Sequence, residues 1–220
     1  MGKRIISQRR GKGSSTYRTR PVKKPRLRYG SSGKVVDIIR VPARRTPVAV
    51  IVYEDRSKGY VPAPEGIKVG DSTDTFIMPL SKVPVGEKVF GIEASPNTGP
   101  KFCMSPGSAA TLLSMDGKKA RVKMPSKNEK IFNPGCFAMI GVPAGEGRSE
   151  KPFILAGRRH KLMKSFGRLY PRSSANKMNS VDHKFGGSGS GTKRPPVSRH
   201  APPGAKVGSI AARRTGRRKK

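Results

Sequence analysis

AATLLSMDGKKARVKM, residues 109–124, decides how the chain folds. In its second half Lys119, Arg121 and Lys123 alternate with Ala120, Val122 and Met124. A period of two puts three cations on one face of a strand and three apolar groups on the other. Asp116-Gly117 supplies the positive φ of a two-residue type I′ turn, so 109–115 and 118–124 read as a hairpin. Outward from it lie other short runs rich in β-branched residues, each closed by Pro, Gly, Asn or Asp. They are KVVDIIRV (34–41), PVAVIVYED (47–55), DTFIMPL (74–80), EKVFGIE (87–93) and CFAMIGV (136–142). The spacing predicts an all-β body of two small barrels in tandem, with a break near PLSKVPVGEK (79–88). There is no internal repeat and no long amphipathic helix.

Charge divides the chain differently. Forty-seven Lys and Arg stand against 13 Asp and Glu, a formal net charge of +34 over 220 residues. Residues 1–30 contribute +11, 31–150 contribute +5, and 151–220 contribute +18 with Asp182 as their single acid. Such an excess calls for a polyanion, and phosphate neutralisation with counterion release makes nucleic acid the fitting one. Membrane surfaces and acidic proteins fit less well. No run approaches the ~18 apolar residues of a membrane span, and the start, MGKRIISQRRGKG, lacks a signal-peptide core. The expectation is a cytosolic protein in which Cys103 and Cys136 stay thiols. The ends are too polar to form a core alone. The expected division is a basic N-terminal arm (1–33), barrels over 34–82 and 83–165, and a basic Gly/Pro-rich extension (166–220).

Catalytic and metal chemistry find little support. His160, His183 and His200 lack the spacing of a zinc site, and Asp182 next to His183 has no nucleophile motif beside it. The tract 186–191 neither follows a strand nor carries the lysine of a Walker motif. No cofactor, metal or small-molecule substrate is expected, and no enzymatic activity. The cationic strand Lys119/Arg121/Lys123 and the cluster GRRHKLMKSFGR (157–168), with Arg158, Arg159, Lys161 and Arg168, are candidate phosphate contacts. So are Arg172, Lys177, Lys193, Arg194, Arg213, Arg214, Arg217 and Arg218. Cationic ends flanking a compact body suit the cavities of a folded RNA. A chromatin-like architectural DNA binder is the alternative, disfavoured because the cation-poor body has little to do on a uniform duplex.

Several stretches carry a family resemblance: GKRIISQRRGKGS (2–14), VVDIIRVPARRTPVAVIVYED (35–55), ARVKMPSKNEKIFNPGCFAMIGVPAGEGRSEKPFILAG (120–157), MNSVDHKFGG (178–187) and APPGAKVGSIAARRTGRRKK (201–220). In this order they resemble large-subunit ribosomal protein two in its archaeal and eukaryotic cytosolic form. The resemblance implies an OB-like barrel followed by an SH3-like barrel, with both extensions threading into ribosomal RNA near the peptidyl-transferase region and the intersubunit side. It implies a structural role in the large subunit, in the cytoplasm, with ribosomal RNA and neighbouring ribosomal proteins as partners. It also places Asn179, Asp182, His183, Lys184, Gly186 and Gly187 in an RNA-fitting loop, with His183 structural. Ser180 and Lys184 stand where the family carries prolines, so this loop is expected to be less rigid and more cationic. Ser174-Ala175 and Met104 are further departures, the latter losing a cation.

Overall fold

The computed structural model describes residues 3–18, 25–29, 31–148, 150–188 and 195–212. Lys193, Arg194, Arg213, Arg214, Arg217 and Arg218 lie outside the described residues. The chain forms two compact units, a body of residues 20–154 and a basic unit made from both ends, 1–19 with 155–220.

In the body, β1 (Gly33–Ile39), β2 (Val48–Tyr53) and β3 (Lys58–Pro62) form an antiparallel meander. The chain continues through β4 (Ile77–Pro79), β5 (Lys88–Phe90), β6 (Ile92–Glu93) and β7 (Pro100–Phe102). It then runs through β8 (Ala110–Asp116), β9 (Lys119–Lys123), β10 (Glu129–Phe132) and β11 (Phe137–Ile140). A six-stranded sheet has the order β10-β9-β8-β5-β11-β4, while β6 and β7 pair as a separate ribbon.

Two apolar clusters fill the body. One gathers Leu80, Val89, Ile92, Leu112, Val122, Phe132 and Ala138, the other Val35, Ile51, Tyr53, Val61, Phe76, Phe90 and Met139. Neighbours on one strand point to opposite faces. Val89 and Ala138 therefore enter the first cluster while Phe90 and Met139 enter the second, so β5 and β11 serve both cores. This explains why VF in β5 and FAMI in β11 are apolar at consecutive positions rather than alternating. Each fully buried side chain of this kind contributes about 1.5–3 kcal/mol.

The hairpin forms as expected, but its turn is shifted by one residue. Asp116 pairs with Lys119, so Gly117-Lys118 is the two-residue loop. Positive φ falls on Gly117 alone, at +46°, whereas a type I′ turn needs it at both central residues. Strands β3, β7 and β10 were not expected from the pattern. Nor was helix α2 (Ala156–Ser165) of the basic unit, which takes in most of the cluster 157–168.

Among the described residues of the body Glu93 is the one fully buried acid, at 0 % exposure. Its Oε1 accepts from the Gly99 amide (2.7 Å) and the Tyr29 hydroxyl, its Oε2 from the amides of Asn97 and Phe137 (both 3.0 Å). Four donors satisfy the carboxylate, which is the condition for keeping one out of water. Burial, reinforced by the hydrogen bond to Glu93, holds the Tyr29 phenol well above its ordinary range. Cys103 is half-buried and Cys136 buried; both are free thiols, and burial pushes both up.

The basic unit is built differently. A short helix, α1 (Ile6–Arg9), belongs to it together with α2 and a parallel pair, β12 (Pro196–Val197) with β13 (Ser209–Ile210). Among its described residues only Phe185 and Gly186 are buried.

Candidate nucleic-acid interface

The basic unit holds 24 Lys and Arg but a single acid, Asp182. That acid is engaged, with Lys3 Nζ 3.3 Å from Asp182 Oδ1 and the Lys3 amide donating to the Val181 carbonyl (2.7 Å). The other cations therefore have no carboxylate side chain within the unit, and like charges crowded this densely repel. One phenyl ring cannot offset that repulsion. A polyanion can.

Several candidate residues meet within this unit. Arg158, Arg159 and Lys161 are exposed on α2, whose half-buried side is Leu162 and Met163. The Arg159 guanidinium lies 5.3 Å from the Tyr170 ring centre. Arg168 and Arg172 line one cleft together with Arg10 and Tyr17 from the N-terminal end. Lys177, Asn179 and Asp182 line another with Lys3, Arg4 and Arg9. These N-terminal cations were missed individually from sequence. The signal was there: the sole acid of the C-terminal extension had to find a basic partner.

The loop 178–187 folds on itself. The amides of Asp182 and His183 donate to the Asn179 carbonyl (3.0 and 3.1 Å), and the Gly187 amide donates to Met178 (2.9 Å). A Cβ at position 186 would fall under 3.0 Å from the carbonyl oxygens of Met178 and Asn179. Gly186 is thus required by the chain's own backbone. His183 Nδ1 accepts from the Phe185 amide (3.0 Å), and its ring packs 5.2 Å from that of Phe185. Lys184 is exposed beside them. Gly186→Ala is expected to strain the loop by about 1–3 kcal/mol and so weaken RNA binding roughly five- to a hundredfold. The urea midpoint of the body should not move; an RNA titration beside a urea melt checks both.

Lys119, Arg121 and Lys123 belong to the body, all outward on β9 between buried Ala120 and Val122. Cross-strand acids sit against them. Asp116 is opposite Lys119 and 3.7 Å from Arg121 Nε, and Glu129 is opposite Lys123. This face is thereby partly neutralised. Among the described residues no three His, Cys, Asp or Glu side chains are grouped to hold a metal ion, and no helix is long and apolar enough to cross a membrane.

Comparison with known proteins accounts for nearly the whole chain. Residues 2–75 match the RNA-binding N-terminal domain of ribosomal proteins L2, and residues 74–205 match the C-terminal domain. The chain belongs to the ribosomal protein L2 family. Large ribosomal subunit protein uL2 of Natronomonas pharaonis is 43% identical over 241 residues, covering 99% of this chain and 97% of that protein. The uL2 proteins of Methanococcoides burtonii (43% over 240 residues) and Archaeoglobus fulgidus (44% over 242) cover at least 99% of this chain and 100% of their own lengths. The two L2 domains correspond to the OB-like and SH3-like barrels expected from the sequence. An L2 protein is a structural ribosomal component of the large subunit in the cytoplasm and not an enzyme.

Proposed function

We propose that this L2 chain clamps large-subunit ribosomal RNA through the unit made of its two ends, supports subunit assembly and association, and buttresses the peptidyl-transferase region. The observation carrying this reading is a compact unit whose sequence holds 24 cations and one acid, with a single buried ring among its described residues. Arg158, Arg159, Lys161, Arg168, Arg172, Lys177 and the loop from Asn179 to Gly187 contact phosphate and backbone there. Lys193, Arg194, Arg213, Arg214, Arg217 and Arg218 extend the same chemistry. Lys119, Arg121 and Lys123 supply a weaker, salt-sensitive contact from the body. Neighbouring ribosomal proteins are the remaining partners; neither membrane nor small-molecule substrate is involved.

Sedimentation of lysate through a density gradient at low and high salt, with the chain followed by mass spectrometry, tests this. Co-migration with large subunits at both salts is expected. Release into light fractions, or migration with DNA, overturns it. His183 acts by holding the loop, so subunits assembled with His183→Ala should retain peptide-bond formation; its loss in normally assembled subunits would show a direct catalytic part.

A further inference from the structure

The body carries a cleft that none of the expected contacts uses. Its volume is about 510 Å³, within the range of small-molecule sites. Tyr29, Tyr53 and Phe137 line it together with Ile77, Met78 and Pro79, Tyr53 being buried and Tyr29 and Phe137 half-buried. The rings of Tyr29 and Phe137 lie 5.0 Å apart at 49°.

Buried Glu93 ties both residues, accepting from the Tyr29 hydroxyl with one oxygen and from the Phe137 backbone amide with the other. Tyr53 is also tied down, its hydroxyl accepting from the Arg28 amide (3.1 Å). Aromatic faces held this way bind at little entropic cost. Exposed Lys82 and Arg28 stand at the rim, with Arg28 also paired to Asp55. Asp74, exposed on the same rim, receives the Ser32 hydroxyl on Oδ2 (2.7 Å), while its Oδ1 receives no hydrogen bond among the described residues.

We infer that this cleft captures one unstacked nucleobase of the bound RNA, with Phe137 and Tyr29 stacking on it, Lys82 on the adjoining phosphate, and Asp74 Oδ1 accepting from the base's exocyclic amino group. The inference rests on the RNA-binding reading and deepens it. Most of the lining, Leu27 to Asp74, falls within the matched RNA-binding domain. A carboxylate on the rim repels phosphate but suits an amino donor, so adenine, cytosine and guanine, which carry an exocyclic amino group, are preferred over uracil, which does not. Recognition of splayed bases by aromatic stacking with edge hydrogen bonds is how single-stranded RNA is read.

The probe is a hexamer of five uridines with one internal 2-aminopurine, titrated into the full chain at physiological salt. Its fluorescence should fall as the base stacks. Phe137→Leu should restore the emission and weaken binding about tenfold, while Phe137→Tyr keeps the quenching. An all-uridine hexamer should compete about tenfold less well than one carrying a single A, C or G, and Asp74→Ala should abolish that preference. Quenching unchanged by Phe137→Leu in a variant with the parental urea midpoint, or equal competition by uridine, overturns the cleft while leaving RNA binding intact. Failure of the chain to bind even a large-subunit RNA fragment at low salt overturns the RNA reading and the cleft with it.

Discussion

Replacing Arg158, Arg159 and Lys161 together by alanine is expected to lower affinity for a large-subunit RNA fragment about a hundredfold. It should also reduce the slope of log K against log salt by about three. All three are exposed on α2, and the one acid of their unit is taken by Lys3. No acid inside the unit competes for them, and the ring of Tyr170 beside Arg159 leaves its N–H donors to a phosphate, where charge-assisted hydrogen bonds are the strong ones. Alanine is the best helix former, so α2 should persist. The same triple substitution at Lys119, Arg121 and Lys123 should change the slope by only about one, because Asp116 and Glu129 already stand opposite those cations. Titrations at four or five salt concentrations measure both slopes. Equal slopes for the two variants would contradict the assignment of the main interface to the basic unit.

Glu93→Ala should destabilise the body by about 2–5 kcal/mol, since it removes the fully buried acceptor of the Asn97 and Phe137 amides and the Tyr29 phenol, leaving the Gly99 amide only the Tyr29 hydroxyl (2.9 Å). That is a large fraction of the ~5–15 kcal/mol by which domains are stable. Glu93→Gln preserves the volume but turns an NH2 group toward backbone N–H donors, so it should cost about half as much. Tyr29→Phe removes a single hydroxyl and should cost about 1 kcal/mol. Urea unfolding followed by circular dichroism ranks the three. A Glu93→Ala chain as stable as the parent would mean that water or a rearranged turn replaces the carboxylate.

The body was legible because its strands carry alternation strong enough to survive one residue of error in the turn. Lys119 to Met124 shows this best, the residues placed inward from sequence being the ones packed against the core. What escaped lacked that signal. β3 reads KGYVP, with glycine and proline in five residues, and it becomes a strand because β2 pairs along it while Arg26 exchanges two backbone bonds with Tyr60 on its other side. β10 reads EKIF, mostly exposed. α2 has no capping side chain and only Leu162 and Met163 to bury; its helicity comes from Arg, Lys, Leu and Met as helix formers, which apolar periodicity does not register. The loop's residues were visible as a motif, but the collision that reserves position 186 for glycine arises from Met178 and Asn179 folding back over it. The Glu93 site joins Tyr29, Asn97, Gly99 and Phe137. No spacing in the sequence announces such a meeting.

Both ends of the chain share one unit, and Lys3 reaches Val181 and Asp182 across it. Translation delivers these ends at different times. At about 5–20 residues per second, the 135 residues from Arg20 to Ile154 take roughly 7–27 s to make. Throughout that interval the first 19 residues carry six cations and no acid, without the loop they later pack against. The Lys3 contacts to Val181 and Asp182 can therefore form only after the whole body has been made, so the basic unit is the last part of the molecule to close.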